Sequence, residues 1–198
     1  MKHFFSLALA CFLSCFVQAQ SGKAYQESIK SYIKKYVDEH EVVGKKDKKY
    51  FRFFPVSEAY RVACVFEKIN DTTGLIMHTS AGTIKSYFKY GKLSFSIRDT
   101  PCVLYVYQST DLMKTQEYKD YLFVPFTDAT TGDESYGSGR YIDFRIGDIK
   151  GNSLQLDFNK AYNPYCAYAT GYRCPVPPKE NHLTIAIRAG EMNFGKKH

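Results

Sequence analysis

Two stretches of this chain concentrate side chains that can do chemistry. Residues 125–143 carry Asp128, Glu134, Tyr136, Arg140, Tyr141 and Asp143. Residues 157–182 carry Asp157, Asn159, Tyr162, Asn163, Tyr165, Cys166, Tyr168, Cys174, Glu180, Asn181 and His182, and Glu191 follows. Two carboxyl groups held about 5 to 9 Å apart can work as a general acid and base pair. On that ground Asp128, Asp157 and Glu180 are the candidate catalytic residues. The competing use of such acids is to cap turns or to pair with Arg140, Arg145 and Arg188. Arg140 follows Gly137-Ser138-Gly139 at a strand start. That placement presents backbone N–H groups and a guanidinium to an anion. The alternative is a buried ion pair with Glu180 or Glu191 that pins the loops. Tyrosines and amides crowd the same stretches, which makes Tyr136, Arg140, Tyr141, Asn159, Asn163, Tyr165, Asn181 and Glu191 candidate ligand-binding residues. Tyr162 and Tyr168 complete the expected wall.

Other chemistries lack their residues. There is no phosphate-binding glycine loop, no His-Glu-x-x-His, no Cys-x-x-Cys and no Gly-x-Ser-x-Gly. An EF-hand starting at Asp157 fails because Tyr162 stands where glycine is required. Cys166 and Cys174 are separated by seven residues, a gap unlike compact zinc modules. A disulfide between them is the expected state, and a nucleophilic thiol served by His182 and Asp157 is the alternative. Cys64 and Cys102 are either paired or buried as thiols. No metal or cofactor is expected.

The elements that must position these residues are mainly strands. One helical pattern is present, within residues 20–44. Tyr25, Ile29, Ile33 and Val37 recur at four-residue spacing with Tyr32 and Tyr36 beside them, Ser21 suits the start and Gly44 the stop. From Phe51 the period becomes two. Val62, Cys64 and Phe66 share one face. Leu75–Thr79, Ile84–Tyr90, Leu93–Arg98 and Cys102–Val106 follow, with turns at 70–74, 80–82 and Gly91-Lys92. A short helix is expected within Asp111–Tyr121, then strands at Tyr141–Ile146, Leu154–Phe158 and Leu183–Arg188. About eight short strands in hairpin order predict a mainly β fold. The expected architecture is a curved antiparallel meander or up-and-down barrel-like sheet, with one N-terminal helix and long loops at one end.

The 157–182 loop is long for a compact domain, and its Tyr, Pro, Asn and Cys content argues against disorder. Several segments carry a resemblance. They are Leu122-Phe123-Val124-Pro125-Phe126-Thr127-Asp128, Ser135-Tyr136-Gly137-Ser138-Gly139-Arg140-Tyr141, Leu156-Asp157-Phe158-Asn159, Ala161-Tyr162-Asn163-Pro164-Tyr165-Cys166-Ala167-Tyr168, Cys174-Pro175-Val176-Pro177-Pro178-Lys179-Glu180-Asn181 and Ala189-Gly190-Glu191. Together with Phe53-Phe54-Pro55 and Tyr60-Arg61-Val62 they resemble domain of unknown function 1684, a family of uncharacterised bacterial and archaeal proteins. The resemblance covers most of residues 20–198 and implies a shared fold and loop arrangement. It implies no activity.

Residues 1–19 read as a signal peptide: Lys2, an uncharged apolar run from Phe4 to Val17, and Val17-Gln18-Ala19 before the cut. The run is shorter than the roughly 20 residues a spanning helix needs. Lipidation at Cys15 is the alternative, on a looser match. The expectation is therefore an exported, single-domain protein of the periplasm or cell envelope, released after cleavage, with no membrane span. The chain has 27 basic and 20 acidic residues, and its excess lysines cluster at Lys45-Lys46-Asp47-Lys48-Lys49 and at Lys196-Lys197. Without a basic stripe or a reading module, no nucleic-acid partner is expected. The 17 tyrosines and absent tryptophan suit half-exposed sheet faces and cavity walls.

These observations favour a module that binds a small molecule or envelope component in a pocket formed by loops 125–143 and 157–182. A hydrolase using loop carboxylates on an envelope glycan is one alternative, and a structural protein of the envelope is another.

Overall fold

The computed structural model describes residues 4–196, with side chains from Gly22 onward. The expected signal segment therefore lies outside the residues whose side chains are described. Helix α1 (Phe4–Glu39) precedes the sheet, and its Tyr25 and Ile29 are buried. With Tyr32 and Tyr36 these residues are spaced four, three and four apart, one face of a helix. The helix stops five residues before Gly44. There His40 accepts a hydrogen bond at Nδ1 from the Val43 N–H (3.1 Å), and the chain turns.

Seven strands form one antiparallel sheet curled into a half-barrel: β1 (Arg61–Lys68), β2 (Leu75–His78), β3 (Ile84–Ile97), β4 (Thr100–Ser109), β5 (Tyr121–Phe126), β6 (Arg140–Arg145) and β7 (Ser153–Asp157). Six run in the order β6-β5-β4-β3-β1-β7, and β2 pairs with the first part of β3. The last strand pairs with β1 rather than β6, so β6 and β7 remain edges.

Alternation gives the sheet its inner face. Val62, Cys64 and Phe66 of β1, Leu93, Phe95 and Ile97 of β3, and Leu104 and Val106 of β4 join Leu122 and Val124 of β5 in one core. Burying each such side chain is worth about 1.5–3 kcal/mol. Met77, Tyr87, Tyr107, Phe123 and Tyr141 form a second cluster.

Three local expectations are corrected. Gly91-Lys92 is no turn: β3 runs through it, with a register shift between Lys89 and Gly91. Gly91 is needed because a Cβ there would stand 2.3 Å from the Phe66 ring. The reversal comes instead at Arg98-Asp99, both at positive φ, between the paired Ile97 and Thr100. The short helix expected within Asp111–Tyr121 is limited to a 3-10 helix at Leu112–Lys114, and residues 116–120 form a further turn. Leu183–Arg188 is not a strand. Leu183 and Ile187 enter the core, but their backbone serves the loops: the Leu183 N–H donates to the Thr127 carbonyl (2.8 Å) and the Ala129 N–H to the Ile185 carbonyl (3.1 Å).

Candidate functional site

The 157–191 segment fills the concave side of the sheet. Phe158, Ala161, Leu183, Ile187 and Ala189 all belong to the main core. It also covers the β6 edge, where Tyr141 and Tyr162 exchange backbone hydrogen bonds (2.9 and 3.0 Å). Most of the polar residues singled out from the sequence are inside this packing. Arg140, Asn163, Asn181 and Glu191 have no exposed surface, and Asn159 and Asp128 have almost none.

Each of these has internal partners. Arg140 pairs with Asp128 at 2.8 Å and donates to the carbonyls of Ile187, Ala189 and Glu191. The expected side-chain pairing with Glu180 or Glu191 does not form. Glu180 instead meets Lys89 (2.8 Å) and the Tyr107 hydroxyl (2.5 Å). Asn181 donates to the carbonyls of Tyr105 and Pro125 and accepts from the Tyr105 N–H. Asn159 donates to Tyr25, Ser57 and Asp157, and Asn163 donates to the Met192 carbonyl. Glu191 accepts from the Tyr168 and Tyr36 hydroxyls and from the Asn163 N–H (2.9 Å). Burial pushes its carboxyl up to about 7, against those hydrogen bonds. Tyr136 packs beside Val43, Ala167 and Tyr168.

A cleft of about 580 Å³ opens between α1, β6 and the 162–175 loop. Six tyrosines line it: Tyr32 and Tyr36 from α1, Tyr141 from β6, and Tyr162, Tyr165 and Tyr172 from the loop. The Cys166–Cys174 disulfide fastens that loop, and Cys174 and Pro175 line the wall. The Tyr141 hydroxyl donates to the Pro175 carbonyl. Cys64 and Cys102 are free, buried thiols, and burial pushes Cys64 up to about 12.

Glu39, Glu41 and Asp143 are the carboxylates of this cleft, and Asp143 is the one held by a tyrosine of its wall. The Tyr162 hydroxyl donates to it at 2.7 Å, and the Tyr121 hydroxyl lies near it. The Asp143 side chain is exposed at the cleft. Desolvation on the side packed against the sheet pushes its carboxyl up to about 6, with the two phenols and Arg145 pulling the other way. The phenols of Tyr36, Tyr141 and Tyr162 are all held well above their ordinary range by burial, so they remain donors at neutral pH. His40, also in the wall, is lowered to about 4 by burial and is neutral. A second cavity, about 350 Å³, is lined by Asp143 together with Arg61, Asp148, Asp157 and Lys160. Asp157 accepts from the Tyr25 hydroxyl (3.0 Å) and from the N–H and amide of Asn159 (3.0 Å each).

Of the expected binding residues, Tyr141 and Tyr165 line the cleft, as does Tyr162. Asp143 stood among the acids flanking the loops but not among the leading candidates. Tyr32, Tyr36, His40 and Tyr172 were not singled out for a site. For Tyr32 and Tyr36 the signal was the tyrosine stripe of α1. Among the described residues no group of three His, Cys, Asp or Glu side chains converges as a metal site, and no helix is long and apolar enough to cross a membrane.

Fold and site together define a class: a curled antiparallel half-barrel whose open side is packed by its own C-terminal segment, with a tyrosine cleft under an N-terminal helix. The chain belongs to the family described as protein of unknown function (DUF1684), whose sequence profile matches residues 48–192. It is similar to a solution NMR structure of an uncharacterised protein from Haloarcula marismortui. The two share 27% identity over 87% of this chain and 96% of that one, with a TM-score of 0.65. No curated protein matches it.

Proposed function

We propose that this protein is a binding module for a small organic ligand, held in the cleft between α1, β6 and the 162–175 loop. One observation carries the reading. Six tyrosine rings line a cavity of about 580 Å³ together with Asp143 and the charged residues Glu39, Glu41, Lys85 and Arg173, a volume within the range of small-molecule sites. Export fits the same reading, because a disulfide bounding the cleft suits an oxidising compartment. The test is a protein-observed NMR screen with aromatic amines, sugars and nucleosides. The expected result is hits whose perturbations cluster on residues 141–143 and 162–173, and a loss of about fivefold or more in affinity in Tyr162→Ala or Tyr165→Ala. Perturbations scattered over the surface, or none, would overturn it.

A hydrolase is the second reading. It is favoured by Asp143 and Asp157 lining one cavity. A carboxyl group that protonates near pH 6 beside one held by three donor groups suits an acid and base pair. Hydrolysis of an envelope glycan that disappears in both Asp143→Asn and Asp157→Asn, with folding intact, would support it. Activity surviving in either variant would sink it.

A further inference from the structure

Asp143 lines both the cleft and the adjoining cavity. Among the described residues no lysine or arginine forms an ion pair with it, and His40 in the same wall is neutral. The hydrogen-bond partner of Asp143 is the Tyr162 hydroxyl, with the Tyr121 hydroxyl near it. The nearby Arg145 is taken by Asp120 at 2.8 Å. A carboxylate held only by neutral donors has attraction left for a cation.

The surroundings suit a particular kind of cation. Tyr162 stands 5.8 Å from the Tyr141 ring and 6.1 Å from Tyr36, so ring faces and edges wall the approach to Asp143. Rings of α1 already accept cations within the protein. Lys160 Nζ lies 5.4 Å from the Tyr32 centroid, and the Arg61 guanidinium lies 5.2 Å from that of Tyr25. Ring and carboxylate together bind an alkylammonium better than a hydrated metal ion, because the ammonium gives up its water more readily and its carbon body fills the apolar wall.

We propose that Asp143 is the counter-ion for the ammonium group of a small organic amine whose apolar or aromatic body lies against Tyr162 and Tyr165. This rests on the binding reading above and names its ligand class. The experiment is an NMR titration of the protein with 2-phenylethylamine and with its neutral isostere 2-phenylethanol, repeated on Asp143→Asn. Binding of the amine about tenfold tighter than the alcohol, with the gap closed in Asp143→Asn, is the expected result. Equal affinities in the wild type would overturn the counter-ion role while leaving the cleft as a binding site. The wild-type comparison decides this even where the variant does not fold. Neither compound perturbing residues 141–143 or 162–173 would overturn both.

Discussion

Arg140 and Asp128 form an ion pair at 2.8 Å in which neither side chain reaches solvent. The same guanidinium donates to three carbonyls of the 187–191 segment and lies 5.3 Å from the Phe126 ring and 5.7 Å from the Phe54 ring. Asp128 in turn accepts from the N–H groups of Ile187 (3.1 Å) and Thr130 (2.8 Å). One pair thus ties the start of β6 to the 125–143 loop and to the C-terminal segment.

Removing one partner leaves the other charge buried and unpaired. Asp128→Ala is expected to cost about 3–5 kcal/mol of unfolding free energy in urea denaturation. The Asp128→Ala/Arg140→Met double variant should cost clearly less than the sum of its two single variants, because the orphaned charge is gone. Additive losses would show that the two residues do not act as a pair.

Gly190 precedes Glu191 at φ +75°, and a Cβ there would meet the carbonyl oxygens of Ala161 and Phe158 at 2.5 and 2.6 Å. Gly190→Ala therefore combines left-handed strain with a backbone clash and should cost at least about 2 kcal/mol. Gly44→Ala, with nothing within 4 Å, is the control and should lie within about 0.5 kcal/mol of wild type. Thermal melting of the two variants checks the contrast.

Glu191 makes stability depend on pH. Its folded-state carboxyl is raised to about 7 by burial, from an ordinary value of 4.5. A raised carboxyl binds its proton more tightly in the folded state. Its contribution is complete below about 4.5 and is lost as pH rises through about 7. Across that window the loss is expected to reach up to about 3 kcal/mol. Glu191→Gln should flatten the slope of unfolding free energy between pH 5 and 8, and an unchanged slope would place the effect elsewhere.

The Cys166–Cys174 disulfide closes a loop of eight-residue separation. Chain entropy gives such a closure about 2–3 kcal/mol. The loop is also tied to β2 by the Ser80 N–H donating to the Cys174 carbonyl and the Val176 N–H to the His78 carbonyl. Reduction should lower the melting temperature without unfolding the sheet. Hydrogen exchange should quicken between residues 164 and 176, where Tyr165 and Tyr172 form the cleft wall. Unchanged exchange there would show that the hydrogen bonds alone hold the loop.

Much of the architecture was legible because it follows from short-range patterns. Val62, Cys64 and Phe66 alternate and share the core, and Tyr25 and Ile29 sit a helical turn apart on the buried face of α1. Gly91 misled because a glycine that makes room for a distant ring looks like a glycine that turns. Leu183 and Ile187 misled because apolar alternation reports which side chains point inward, not what the backbone bonds to.

The sequence by itself determined the strand pattern, the helix face, the cysteine pair and the family, since each is written in local spacing or in contiguous motifs. Only the tertiary structure decided which polar groups are locked inside and which meet the cleft. Arg140, Asn163 and Glu191 lie in or just after the two loops that also hold Asp143, and look alike in composition. Their difference is solvation, and the groups that exclude or admit water around them come from α1, β5 and the C-terminal segment, far away along the chain.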